Sequence, residues 1–156
     1  AVKESREIRR AAGKTPESLT FGTYMSIAPH PDINVARNLV KGVTAVYARF
    51  QAMPGHPSEQ TRPEDRGVIK NVGNNYDNTA HGRSDASHIA YLEDDFIDRF
   101  SVVGPPEQCI DKLEKLHKAG LDRIMLVGPN RLLPGYDESR RLLAEVVLPG
   151  IRRRLG

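Results

Sequence analysis

"FSVVGPPEQCIDKLEKLHKAGLDRIMLVGP", Phe100 to Pro129, holds the reading on which the fold turns. It opens on an apolar run ended by Gly104 and closes on a second one ended by Gly128. Between them Ile110, Leu113 and Leu116 recur at helical spacing. The runs rhyme, "VVGP" at Val102–Pro105 against "LVGP" at Leu126–Pro129. Strand, helix, strand at this spacing is a βαβ unit with parallel strands. The middle helix is well specified. Glu107 in its first turn and His117 and Lys118 in its last suit the helix dipole, and Gly120 ends it. Asp111 with Lys115 and Glu114 with Lys118 stand four residues apart, the spacing of favourable pairs. "FSVV" and "IMLV" lack polar alternation, so both faces of these strands expect cover.

Working outward, "DESRRLLAEVVLPGIRRRL", Asp137 to Leu155, reads as a C-terminal helix whose Arg152–Arg154 face the negative end of its dipole. Upstream, Lys3–Ala12 is expected to be a short helix stopped by Gly13, and Leu19–Ala28 a buried strand closed by "PHPD". Asp32 suits the N-cap of a helix through Val35, Leu39, Val43 and Val46, weakened in the middle by Gly42. A Pro/Gly-rich loop follows, then a helix opened by Pro63, Glu64 and Asp65. "NTAHGRSDASH", Asn78 to His88, is polar and turn-rich, and an acidic helix "EDDFIDRF" leads into the opening stretch. About three parallel strands result, with residues 30–93 as a mostly helical insertion in a single segment of 1–156. Two architectures accommodate them: the last units of a (β/α)8 barrel, which needs about 250 residues when complete, or a narrow open doubly wound sheet.

Composition narrows the function. The chain has 156 residues, a net charge of +3 and 6% aromatic residues, a poor match to nucleic-acid binding. No run approaches the roughly 18 apolar residues that span a bilayer. The charged N-terminus is no signal peptide, and its lack of Met suggests a processed chain or a piece of something longer. The single cysteine, Cys109, lies on an apolar helical stripe, which suits a buried thiol and a reducing, cytoplasmic setting.

Several residues carry polar chemistry near strand ends. The Gly104 corner is a weak phosphate site, since Pro105 and Pro106 remove two N–H donors and Glu107 adds a negative charge. "GPNRLLPGYD", with Asn130 and Arg131, is the better anion candidate. His30 follows a strand directly, and His81 and Arg83 sit in the polar loop. His81, Asp85 and His88 match no established zinc spacing, so no metal is expected. His56 and His117 read as structural or solvated. No residue pattern identifies a catalytic group.

"DDFIDRFSVVGPPEQCIDKLEKLHKAGLDRIMLVGP", followed by a helix ending "AEVVLPGIRRRL", resembles the C-terminal end of luciferase-like monooxygenases. Within them it is most similar to the branch of methylenetetrahydromethanopterin reductase. "YMSIAPHPD" through "HGRSDASH" resembles the matching strand, helical insertion and loop. The resemblance implies the C-terminal half of a (β/α)8 barrel, roughly its sixth to eighth units. It implies a small organic substrate and hydride exchange with FMN or the deazaflavin coenzyme F420. Residues that grip the ring and phosphate of that cofactor would belong to the missing half. This half would supply pocket wall: His30, His81, Arg83, Gly104, Asn130 and Arg131. The alternative is a non-catalytic αβ binding or assembly module. Unpaired strand edges and an apolar face lead us to expect a homo-oligomer or pairing with the missing N-terminal half.

Overall fold

The computed structural model describes residues 2–55 and 57–156, so His56 lies outside the described residues. A helix α1 (Val2–Ala11) precedes the first strand, β1 (Gly22–Pro29). β1 is flanked in parallel by β2 (Ser101–Gly104) and β3 (Arg123–Val127), giving the order β2-β1-β3. The parallel pairing agrees with the sequence reading, but the order is not that of three consecutive barrel strands, which would place β2 in the middle. Length explains this. β1 carries a ladder on each edge, displaced along its axis: Gly22–Ser26 pair with Arg123–Val127, and Ser26–Pro29 pair with Ser101–Gly104. The four-residue β2 covers only the carboxyl half of β1, and β3 takes the rest of its length on the opposite edge.

Neighbouring residues of a strand point to opposite faces, and both faces of this sheet carry helices. Ile27 and Val102 pack with Cys109, Ile110 and Leu113 of α5 (Pro106–Lys118) and with Val147. Ala28 and Val103 pack on the other side with α2 (Ile33–Ala52), α3 (Pro63–Asn74) and α4 (Asp94–Phe100), through Leu39, Val40, Ile69 and Phe96. Burial on both sides is why these runs lack alternation. One polar seam crosses the second layer. The Ser26 hydroxyl donates to Ser101 Oγ at 2.7 Å, Ser101 Oγ and Thr44 Oγ1 lie 2.8 Å apart, and Thr44 donates to the Val40 carbonyl at 2.9 Å. Every hydroxyl in it is partnered, so its burial carries no desolvation penalty left unmet. At the other end of the sheet Tyr24 and Met125 pair in register and remain 61% and 57% exposed, so that part of the sheet lacks cover.

The helices start where the chain dictates. Asp32 caps α2 by accepting the Asn34 N–H at 2.8 Å, and Pro63 occupies the first turn of α3. Gly104 turns the β2–α5 corner at φ +114°, a region open to glycine, and its carbonyl accepts the His30 N–H at 2.9 Å. Lys112 then locks α4 to α5, since its Nζ donates to the carbonyls of Asp98, Arg99 (3.1 Å) and Ser101 (2.5 Å). The C-terminal helix is interrupted. α6 (Tyr136–Leu142) passes through a π turn at Leu143–Val147 into α7 (Leu148–Leu155). Pro149, in the first turn of α7, has no N–H to return to the preceding turn, and the widened turn accommodates it. Arg154 is not simply solvated at the helix end. It crosses to α5 and contacts Glu107, Asp111 (2.5 Å) and Glu114 (3.1 Å). Glu114 keeps its expected partner Lys118 at 2.5 Å, whereas Asp111 is taken by Arg154.

Candidate functional site

Gly42 in the middle of α2 decides where the polar loop sits. A Cβ there would stand 2.2 Å from the Gly82 carbonyl oxygen and 3.0 Å from the Arg83 carbonyl carbon. Loop backbone therefore rests directly on helix backbone, which only a glycine allows. The chain leaving β3 returns across the same helix. The Asn130 N–H donates to the Leu39 carbonyl at 3.0 Å, its side-chain amide donates to Ser84 Oγ at 2.9 Å, and its Oδ1 accepts the Leu132 N–H at 3.0 Å. Asn130 thus ties α2, the 81–85 loop and the post-β3 segment together.

These three elements enclose a cleft of about 810 Å³, past the carboxyl end of β3. Leu39, Val43, Leu132 and Leu133 supply its apolar lining. Asn38, His81, Ser84 and Asn130 are among its polar groups. Arg83 and Asp85 also line it but bind each other, Nε to Oδ1 at 2.8 Å and Nη2 to Oδ2 at 2.6 Å. That pairing raises the Arg83 pKa and holds Asp85 below its ordinary carboxylate value. With its lining cation already matched, the cleft suits an uncharged polar ligand better than a phosphate.

Of the residues singled out from sequence, His81, Arg83 and Asn130 come together here. Arg131 is exposed beside the cleft and does not line it. His30 is nearly buried elsewhere: its Nδ1 accepts the Asp32 N–H at 3.0 Å and its Nε2 lies 3.4 Å from Glu138 of α6. It rivets the end of β1 to α6. Gly104 is the corner described above. Cys109 is buried, and desolvation pushes its thiol up to about 12, as suits an inert core residue.

Sequence reasoning missed the support behind His81. Tyr76 Oη and His81 Nδ1 lie 2.9 Å apart, and the Tyr76 ring stacks on His88 at 4.1 Å between centroids. His88 is fully buried, its Nδ1 accepts the Asp77 N–H at 3.2 Å, and burial lowers its pKa, which keeps it neutral. Tyr76 stands just past the end of α3, where nothing in the sequence marks it apart from a helix-end aromatic.

A second groove of about 870 Å³ lies beside the start of β2, among α3, α4 and α5. Some of its charges are paired within it: Arg99 binds the buried Asp65 at 2.6 Å, and Lys112 caps α4. Ligands of open α/β sheets bind outside the carboxyl ends of strands, which favours the cleft at β3.

A parallel α/β sheet with a mixed polar and apolar cleft beyond a strand's carboxyl end is the arrangement of small-molecule-binding α/β proteins. The particular family follows from comparison. Residues 1–123 match the luciferase-like monooxygenase family, and the chain belongs to it. It is 31% identical over 152 residues to 5,10-methylenetetrahydromethanopterin reductase of Methanopyrus kandleri, covering 96% of this chain and 40% of that protein. It is 26% identical over 145 residues to the same reductase of Archaeoglobus fulgidus, covering 90% of this chain and 41% of that protein. The chain therefore spans about two fifths of the curated relatives it matches. The solved coenzyme F420 dependent tetrahydromethanopterin reductase from Methanopyrus kandleri superposes with a TM-score of 0.61 at 21% identity, over 97% of this chain and 41% of that one. That likeness establishes a shared fold.

Proposed function

We propose that the chain is the C-terminal part of a coenzyme F420-dependent oxidoreductase that acts on a small organic substrate by hydride transfer. The carrying observation is the cleft past β3, built by Asn130, Ser84 and the Gly42 contact. Residues 1–156 act in this reading as one partial-barrel segment, with 30–93 inserted between strands, and a closed barrel would require β3 to pair with β2 in place of β1.

F420 is favoured over FMN because the solved relative is a coenzyme F420 dependent reductase. The cleft fits a ring edge, with apolar Leu39, Val43 and Leu132 beside uncharged donors and acceptors. It does not fit the phosphate of the cofactor, since Arg83 is matched by Asp85. That grip falls to the remainder of the protein. Bound there, the deazaflavin would supply the hydride chemistry. The chain's own residues position it: Asn130 holds Ser84 and the loop in place, His81 offers a ring nitrogen, and the leucines exclude water.

A second reading, a non-catalytic αβ module, is favoured by the two charged side chains of the cleft, Arg83 and Asp85, being bound to each other. Fluorescence titration of the full gene product with F420 and with FMN separates the two. We expect F420 to bind more tightly than FMN, and Asn130→Ala to weaken F420 at least tenfold. Binding of neither cofactor removes the oxidoreductase reading and leaves the module.

A further inference from the structure

Tyr76, His81 and His88 form a graded series from core to cleft. His88 is fully buried, Tyr76 half-buried, and His81 exposed on the cleft wall. The Tyr76 ring lies against His88, 23° from parallel, and meets the His81 ring edge-on at 5.8 Å. These two rings leave the phenol little freedom, so its oxygen is held at His81 Nδ1 rather than sampling solvent. Burial raises the phenol's pKa above its ordinary value, so the oxygen keeps its hydrogen. A phenol that keeps its own hydrogen has that hydrogen to give, and Nδ1 at 2.9 Å is the acceptor in reach.

We infer that Tyr76 is a positioning residue that holds His81 as the tautomer protonated at Nε2, so that the cleft presents a hydrogen-bond donor there and its ligand brings an uncharged acceptor such as a ring or amide carbonyl. A ring nitrogen whose partner nitrogen is occupied has its role set by that bond. The neighbouring cation and carboxylate do not compete for it, because Arg83 and Asp85 are bound to each other at 2.6 Å. The ligand part rests on the functional proposal above, whereas the tautomer does not.

The test is the nitrogen NMR spectrum of the His81 imidazole in the full gene product and in Tyr76→Phe. The substitution removes the hydroxyl and keeps the ring against His88, whose own signals report that the stack persists. We expect wild-type His81 to show an acceptor Nδ1 and a protonated Nε2, and the two shifts to converge in Tyr76→Phe as the tautomers exchange. A wild-type imidazole protonated at Nδ1, or an unchanged spectrum in Tyr76→Phe, overturns the assignment. If the His88 signals also move, the wild-type spectrum alone decides it. Coenzyme F420 is then added. A shift of the His81 Nε2–H resonance supports the donor role, and binding seen by fluorescence without that shift refutes it. Absence of binding refutes the functional proposal, while the tautomer is still decided by the two ligand-free spectra. Loss of one such hydrogen bond should weaken F420 by about three- to tenfold in Tyr76→Phe.

Discussion

Replacing Gly42 by alanine tests the contact on which the cleft is built. The added Cβ would lie 2.2 Å from the Gly82 oxygen and 2.9 Å from its carbonyl carbon, both backbone atoms that no side-chain rotation can move away. Reaching an ordinary contact requires the loop to retreat by about 1 Å. Alanine in a helix interior is worth about 1 kcal/mol over glycine, and overpacking costs about 1–3 kcal/mol. A backbone clash belongs in the upper part of that range, so the net loss is about 1–2 kcal/mol. For a chain of this size the melting temperature falls by about 3–6 °C. The retreat also pulls Ser84 from Asn130, so the same variant loses ligand affinity. Gly67 provides the control: it lies on the exposed side of α3 and a Cβ there meets nothing within 4 Å. Gly67→Ala should gain about 0.5–1 kcal/mol from propensity alone. Calorimetry of the two variants decides the matter. If Gly42→Ala stabilises as much as Gly67→Ala, the loop does not rest on α2 and the cleft is wrongly built.

Cys109 should resist a thiol reagent in the native protein and react only on unfolding. Its folded pKa of about 12 stands above the ordinary 9.0, so the folded state holds the proton more tightly. The stability it contributes is complete below about pH 9 and is lost as pH rises from 9 towards 12, which urea melts at stepped pH would reveal. Removing one partner of the buried Arg99–Asp65 pair leaves an unpaired charge, so Arg99→Met should cost about 3 kcal/mol in urea unfolding. A near-neutral result would mean that water reaches Asp65. The uncovered Tyr24 and Met125 and the free edges of β2 and β3 predict that the isolated chain self-associates at micromolar concentration. A monomer in sedimentation with a cooperative melt contradicts this.

The parallel strands were legible because "VVGP" and "LVGP" bracket a helix with its own caps. The Asp32 cap and the Pro63 start were legible for the same local reason. The strand order was not. Runs apolar on both faces carry no register, and only the length of β1 lets it hold a ladder on each side. Arg154 was unreadable because its partners on α5 lie some forty residues away. Residue type singled out His81, Arg83 and Asn130, and the structure brings these three together at the cleft. His30 also follows a strand, but its ring nitrogens meet Asp32 and Glu138 rather than the cleft. Gly42 was the available signal: a glycine weakening a good helix marks a close approach, though sequence alone does not say what approaches.

The measurement closest to the central claim is hydrogen exchange of the full gene product with and without coenzyme F420. The account predicts slowed exchange in residues 81–85 and 128–133, the loop and post-β3 segment that wall the cleft. Protection confined to other parts of the protein, with these two segments unchanged, would contradict it.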